Sequence, residues 1–153
     1  MTTEGKEEKE VLDSASAEET EALGARIAER LGPGDVVLLS GDLGAGKTTL
    51  IRGACRALGV TAPVTSPTFT IGQRYDGGRV PVSHLDLYRL ESLEDEDPAL
   101  LDDYLRPDAV AFVEWPGAGE GWLGLPALEV RLAHLDEHRR RIEVQWASAP
   151  RAS

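Results

Sequence analysis

Cysteine occurs once in these 153 residues, at Cys55, so no disulfide framework can form and a reducing compartment is the natural setting. Long apolar runs are missing too, and nothing approaches the roughly 20 residues of a membrane-spanning helix. The opening segment, Met1 to Glu10, lacks the apolar stretch of a signal peptide, and a cytoplasmic location is expected. Cations are scarce: 16 Lys and Arg face 27 Asp and Glu, a formal charge of -11. Unaided binding to DNA or RNA is therefore excluded as a main role, because that affinity rests on cations that neutralise phosphates. The only basic run, His138-Arg139-Arg140-Arg141, reads as a solvated turn between two strands.

What is present fits one α/β domain of ordinary size. Residues 1–10 alternate acidic and basic groups and residues 148–153 are small or polar, so both are expected to fray around a domain spanning 11–147. Ser16-Ala-Glu-Glu19 has the spacing of a capping box, after which Leu23, Ile27 and Leu31 recur as on an amphipathic helix that Gly32-Pro-Gly34 stops. Asp35 to Ser40 is a short apolar strand, and Ile51, Ala54, Cys55 and Leu58 carry helical spacing again. Phe69 to Tyr75 and Val80 to Leu87 form an expected hairpin about Asp76-Gly-Gly78. An acidic helix is expected from Ser92 to about Leu105. Ala109 to Val113 is continuously apolar, as a strand covered on both faces must be. Leu128 to Leu132 and Ile142 to Trp146 alternate with period two and close the chain as an antiparallel hairpin.

Between the Asp35 strand and the following helix lies Gly41-Asp42-Leu43-Gly44-Ala45-Gly46-Lys47-Thr48, which fits the phosphate-loop pattern in the context that pattern requires. Its glycines let backbone amides turn inward around phosphates, and the helix directs its positive N-terminal end at them. Lys47 is placed to reach the β and γ phosphates, and Thr48 to offer a hydroxyl to magnesium, a hard ion that takes few protein ligands. The chain contains no Asn, hence no Asn-Lys-x-Asp segment of the kind that reads guanine. Adenine is favoured, and ATP with Mg2+ is the expected cofactor pair.

Phosphoryl transfer needs a carboxylate near the metal, and two strand ends supply one. Glu114 ends the fully apolar Ala109–Val113 run, where a charge needs a partner. Asp86 follows Val82-Ser-His-Leu85, a more polar strand expected at a sheet edge. One of the two suits the metal and the other the attacking water, in an order the pattern leaves open. Thr68, in Ser66-Pro-Thr-Phe-Thr70, stands where switch segments place a hydroxyl near the γ phosphate; alternatively, Pro67 simply sets up the next strand. Trp115 is expected to be exposed as a lid or partner contact. His84 has a water-polarising reading and a structural one, and a lone histidine favours the second.

With these pieces in place the chain resembles the bacterial TsaE family, also called the YjeE family, over residues 12 to 146. Gly41 to Thr49 is shared with many ATPases, whereas Ser66-Pro-Thr-Phe-Thr70, His84-Leu-Asp-Leu-Tyr-Arg-Leu90 and Glu114-Trp-Pro116 at these separations are far more specific. The resemblance implies a P-loop NTPase fold, three-layer α/β/α about a mixed, partly parallel sheet. It implies an ATP hydrolase of low activity alone, which drives or resets a TsaB–TsaD complex adding threonylcarbamoyl to a tRNA adenosine. That role involves tRNA only through the complex, with no DNA and no membrane. By carry-over, residues 41–48 match the phosphate cradle, Thr48 and Glu114 the magnesium ligands, Asp86 the second essential carboxylate and Trp115 a family position near the site; Gly41 to Thr49, Thr68 and Trp115 are the expected nucleotide contacts, and Lys47, Asp86 and Glu114 the expected catalytic set. The adenine pocket is expected near Ser14 to Thr20. The rival reading is a small-metabolite or nucleotide kinase, which needs an arginine-bearing lid that the scattered Arg residues do not supply.

Overall fold

The computed structural model describes residues 8–41, 46–65, 72–87, 102–115 and 126–147. Their elements run β1 (Glu8–Ser14), α1 (Ala17–Ala28), β2 (Val36–Gly41), α2 (Lys47–Ala57), β3 (Gly72–Tyr75), β4 (Val82–Asp86), β5 (Val110–Glu114), β6 (Leu128–His134) and β7 (Arg140–Trp146). The strands form one sheet in the order β1-β7-β6-β2-β5-β4-β3. Its centre is parallel, β2 lying between β5 and β6 and β5 also pairing parallel with β4. Its flanks are antiparallel through β3–β4, β6–β7 and β1–β7. The mixed sheet and the closing hairpin match the expectation from sequence.

Burial follows from the patterns that defined the strands. All five residues of β5 are buried, because this strand is covered on both faces, whereas β6 buries only Leu128, Val130 and Leu132. The larger core packs Leu23 and Ile27 of α1 and Leu50, Ile51 and Ala54 of α2 against Val37, Leu39, Val82, Val110 and Phe112. Both helices therefore lie on one face. On the other face Leu38, Leu85, Leu87, Ala111, Val113 and Trp115 form a second cluster joined by Tyr104 and Leu105. Among the described residues Tyr104 and Leu105 cover this second face, and both helices belong to the first. Beyond that cluster, over β1, β7, β6 and β2, the second face is polar, lined by Lys9, Ser40, Arg131, Glu143 and Gln145.

The two helices meet through glycine. A methyl group on Gly24 would come within 2.1 Å of the Leu50 carbonyl oxygen, and one on Gly53 within 2.0 Å of that of Glu21. Backbone touches backbone there, and Arg56 of α2 ties the crossing at the surface by donating to Glu21 at 3.1 Å. At the start of α1 the capping box is formed: the Glu19 amide donates to Ser16 Oγ at 3.1 Å, and the Ala15 amide to the Glu19 carboxylate at 3.0 Å.

Two expectations are corrected. Residues 8–10 do not fray but begin β1, an edge strand that pairs with β7 from Glu8↔Trp146 to Ser14↔Arg140. Edge pairing is made by the backbone, and its alternating charges suit an edge, so the apolar period that marks other strands is weak there. The strand carrying His84 is no edge either. It lies between β5 and β3, and its Ser83 and His84 are fully buried. Residues 1–7 and 148–153, and residues 92–101 of the helix expected over 92–105, lie outside the described residues.

Candidate nucleotide site

β2 ends at Gly41 with φ +136°, where a side chain would collide with the Leu132 carbonyl oxygen at 1.9 Å. Only glycine can leave the sheet there. On the helix side of the junction stands Gly46, with φ +104°, the left-handed region that glycine adopts without strain. α2 then begins at Lys47 with no side-chain cap and no acidic residue in its first turn. α1 contrasts with it, closing its own N-terminus with Ser16 and carrying Glu18 and Glu19 in the first turn. The first amides and the positive dipole end of α2 face the β2–α2 junction, the kind of helix start that suits an anion. Lys47 is buried at this point, and its ammonium donates to the Gly41 carbonyl at 3.0 Å, bridging the two ends of the loop.

Two carboxylates lie beside it. Glu114, the last residue of β5, is in register with Leu39 of β2 on one side and Asp86 of β4 on the other. Strand alternation puts Glu114 on the side of Phe112, and Asp86 on the side of Val82, both residues of the core beneath the helices. The two acids share the helix face, at the carboxyl ends of parallel strands, where open α/β sheets bind ligands. Glu114 is only 5% exposed, and a buried carboxylate requires a partner. Its partner is His84, wholly buried two residues before Asp86, whose Nε2 lies 2.7 Å from Glu114 Oε2. A cavity of about 100 Å3 adjoins the start of α2, lined by Ser16, the cap of α1, by Ala17 and Thr20 of α1, by Gly46 and Thr49, and by His138 of the β6–β7 connection and Arg140 at the start of β7.

The family model for "Threonylcarbamoyl adenosine biosynthesis protein TsaE" matches residues 14–142. The Bacillus subtilis protein named tRNA threonylcarbamoyladenosine biosynthesis protein TsaE is 41% identical over 129 residues, covering 84% of this chain and 80% of its own. Its Streptomyces coelicolor namesake is 43% identical over 127 residues, covering 82% and 78%. The chain belongs to the TsaE family. Among solved structures, Bacillus subtilis YdiB superposes with a TM-score of 0.76 at 32% identity, over 93% of this chain and 88% of that one.

In this TsaE-family chain Gly41, Gly46, Lys47, Thr48 and Thr49 gather at the β2–α2 junction, and Asp86 and Glu114 stand on the neighbouring strand ends. Asp42, Leu43, Gly44, Ala45 and Thr68 lie outside the described residues. The expected exposure of Trp115 is corrected: it is 7% exposed and packs with Val113 and Leu87 on the face opposite Glu114. Alternation along an extended chain dictates that, since adjacent residues point to opposite faces. Its amide donates to the Leu39 carbonyl at 2.7 Å, so Trp115 locks β5 to β2 rather than forming a lid. His84, read from sequence as structural, has its partner 30 residues away, and His138 and Arg140, from the run read as a solvated turn, line the cavity beside Gly46. The basic turn was visible, but only the sheet order brings it beside Gly46. Cys55 is a buried core side chain whose thiol is pushed up to about 12 by burial.

Proposed function

We propose that this chain binds ATP with magnesium at the β2–α2 junction, hydrolyses it, and thereby serves threonylcarbamoyladenosine formation on tRNA by driving or resetting a TsaB–TsaD transferase. The observation that carries the reading is the junction itself, where Gly41 and Gly46 take positive φ and the buried Lys47 ammonium spans them, next to a buried acid at the tip of the adjacent strand. Family membership supports the pathway. The -11 charge suits a protein that reaches tRNA through partners rather than by its own cations.

The roles follow from chemistry. Main-chain amides at the start of α2 hold the phosphates, and the Lys47 ammonium moves from the Gly41 carbonyl onto phosphate oxygens when they arrive. The Thr48 hydroxyl and the Glu114 carboxylate are hard oxygen donors, with Asp86 beside them on the same face, and this set fits magnesium. Bound there, the ion would neutralise charge developing on the β and γ oxygens. Asp86 orients the attacking water by accepting its hydrogen bond. The base lies toward the cavity of Ser16, Ala17, Thr20 and Thr49, with His138 and Arg140 on its far side.

Single-turnover phosphate release, measured with and without TsaB and TsaD, tests this. Release stimulated by the partners is expected, with Glu114→Ala and Asp86→Ala lowering turnover more than nucleotide affinity. Transfer of the γ phosphate to a small acceptor would mark a kinase instead, and no turnover in either condition would leave only a nucleotide-binding module.

A further inference from the structure

The site described above uses Glu114 but not the imidazole bound to it. Among the described residues the one hydrogen bond to the Glu114 carboxylate comes from His84, through Oε2 at 2.7 Å. His84 is 0% exposed and its Nδ1 is buried without a hydrogen-bond partner. These two facts choose a tautomer. A proton on Nε2 satisfies the carboxylate and leaves a lone pair at Nδ1, whereas a proton on Nδ1 would bury an unpaired donor and set two acceptors against each other across 2.7 Å. The ring is further fixed by its strand, since β4 is hydrogen-bonded on both sides in register, with His84 opposite Phe112 on β5 and Gln73 on β3.

We propose that His84 is a positioning residue for the reaction. By donating Nε2–H to Oε2 it holds the Glu114 carboxylate in one rotamer and presents the other oxygen, Oε1, to magnesium. This rests on the assignment of Glu114 as a magnesium ligand made above. Partners of metal-binding groups act in this way by fixing the orientation of the ligand and its basicity, and their loss typically costs ten- to a hundredfold in metal affinity. The bland alternative is that the contact merely pins β4 to β5. The ladder between those strands already does that over five register pairs, from Val82↔Val110 to Asp86↔Glu114. A buried polar pair is an expensive substitute for two apolar side chains at such a position.

The experiment compares His84→Leu, which removes the donor, with His84→Gln, whose amide nitrogen takes nearly the place of Nε2. For wild type, 15N NMR of the nucleotide-free protein should show an Nε2-protonated imidazole whose proton signal shifts in Glu114→Ala. The magnesium concentration for half-maximal binding of a non-hydrolysable ATP analogue, read by calorimetry, should rise about tenfold or more in His84→Leu. His84→Gln should recover most of that, and binding without magnesium should be unchanged in both. An Nδ1-protonated ring, or an unchanged magnesium requirement in His84→Leu, would overturn the positioning role while leaving the function standing. Equal losses in the Leu and Gln variants that track their melting temperatures would overturn it in favour of a structural contact. A wild type that binds no magnesium–nucleotide would overturn the function first and this role with it.

Discussion

Gly24→Ala is the substitution on which helix propensity and packing disagree most sharply. In an exposed helix, alanine for glycine stabilises by about 1 kcal/mol. At position 24 the new methyl would sit 2.1 Å from the Leu50 carbonyl oxygen and 2.9 Å from the Ala54 nitrogen. Both are backbone atoms of α2 and cannot swing aside as a side-chain tip would, so α1 and α2 must separate by roughly 1 Å, enough to forfeit a quarter to a half of each dispersion contact at the crossing. Overpacking costs about 1–3 kcal/mol, and a clash this close with immobile backbone falls in the upper part of that range, about 2–3 kcal/mol, so that against the propensity gain of about 1 kcal/mol a net loss of about 1–2 kcal/mol remains. For a domain of this size that lowers the melting temperature by about 3–6 °C. The exposed Ala22 on the same helix is the control: Ala22→Gly should also destabilise, by about 1 kcal/mol. Thermal and urea unfolding of the three proteins would decide the matter. A Gly24→Ala protein as stable as wild type, or more stable, would refute the close helix crossing. Since Leu50 is one turn from Lys47, weaker nucleotide binding should accompany the lost stability.

Two further expectations concern ionisation. Burial pushes the Cys55 thiol up to about 12, so a thiol reagent at pH 8 should label it only after unfolding, and prompt labelling of the native protein would contradict its burial. The linkage sign is that of an acid whose folded value is raised: the unfolded chain loses this proton first, so stability falls as pH rises above about 9. Asp136, exposed in the β6–β7 turn, is lowered to about 2 by the Arg139 guanidinium and by the His138 and Arg139 amides. Its contribution is present above the ordinary carboxylate range and lost as pH falls toward 2. Asp136→Ala should therefore destabilise the hairpin at pH 7 and be indistinguishable from wild type near pH 2; an equal deficit at both would exclude ionisation as the cause.

The parts legible in the sequence were those with local signals. The glycine spacing of 41–46, the run that became β5 and the alternation of β6 and β7 each occupy one segment, and each has one physical reading. β1 escaped because an edge strand is held by backbone pairing with β7 and needs little apolar period. Trp115 was misjudged although alternation past Glu114 would have turned it to the opposite face. The His84–Glu114 bond, the proximity of His138 and Arg140 to Gly46, and the Gly24 and Gly53 contacts could not be read locally, since each joins residues brought together only by sheet order or helix crossing.

The central claim is that the start of α2, backed by Lys47, receives a triphosphate. Titration calorimetry of the full chain with a non-hydrolysable ATP analogue and magnesium tests it most directly. Saturable one-site binding is expected in wild type, and its loss in a folded Lys47→Ala protein. No heat of association in wild type, or unchanged affinity in Lys47→Ala, would contradict it.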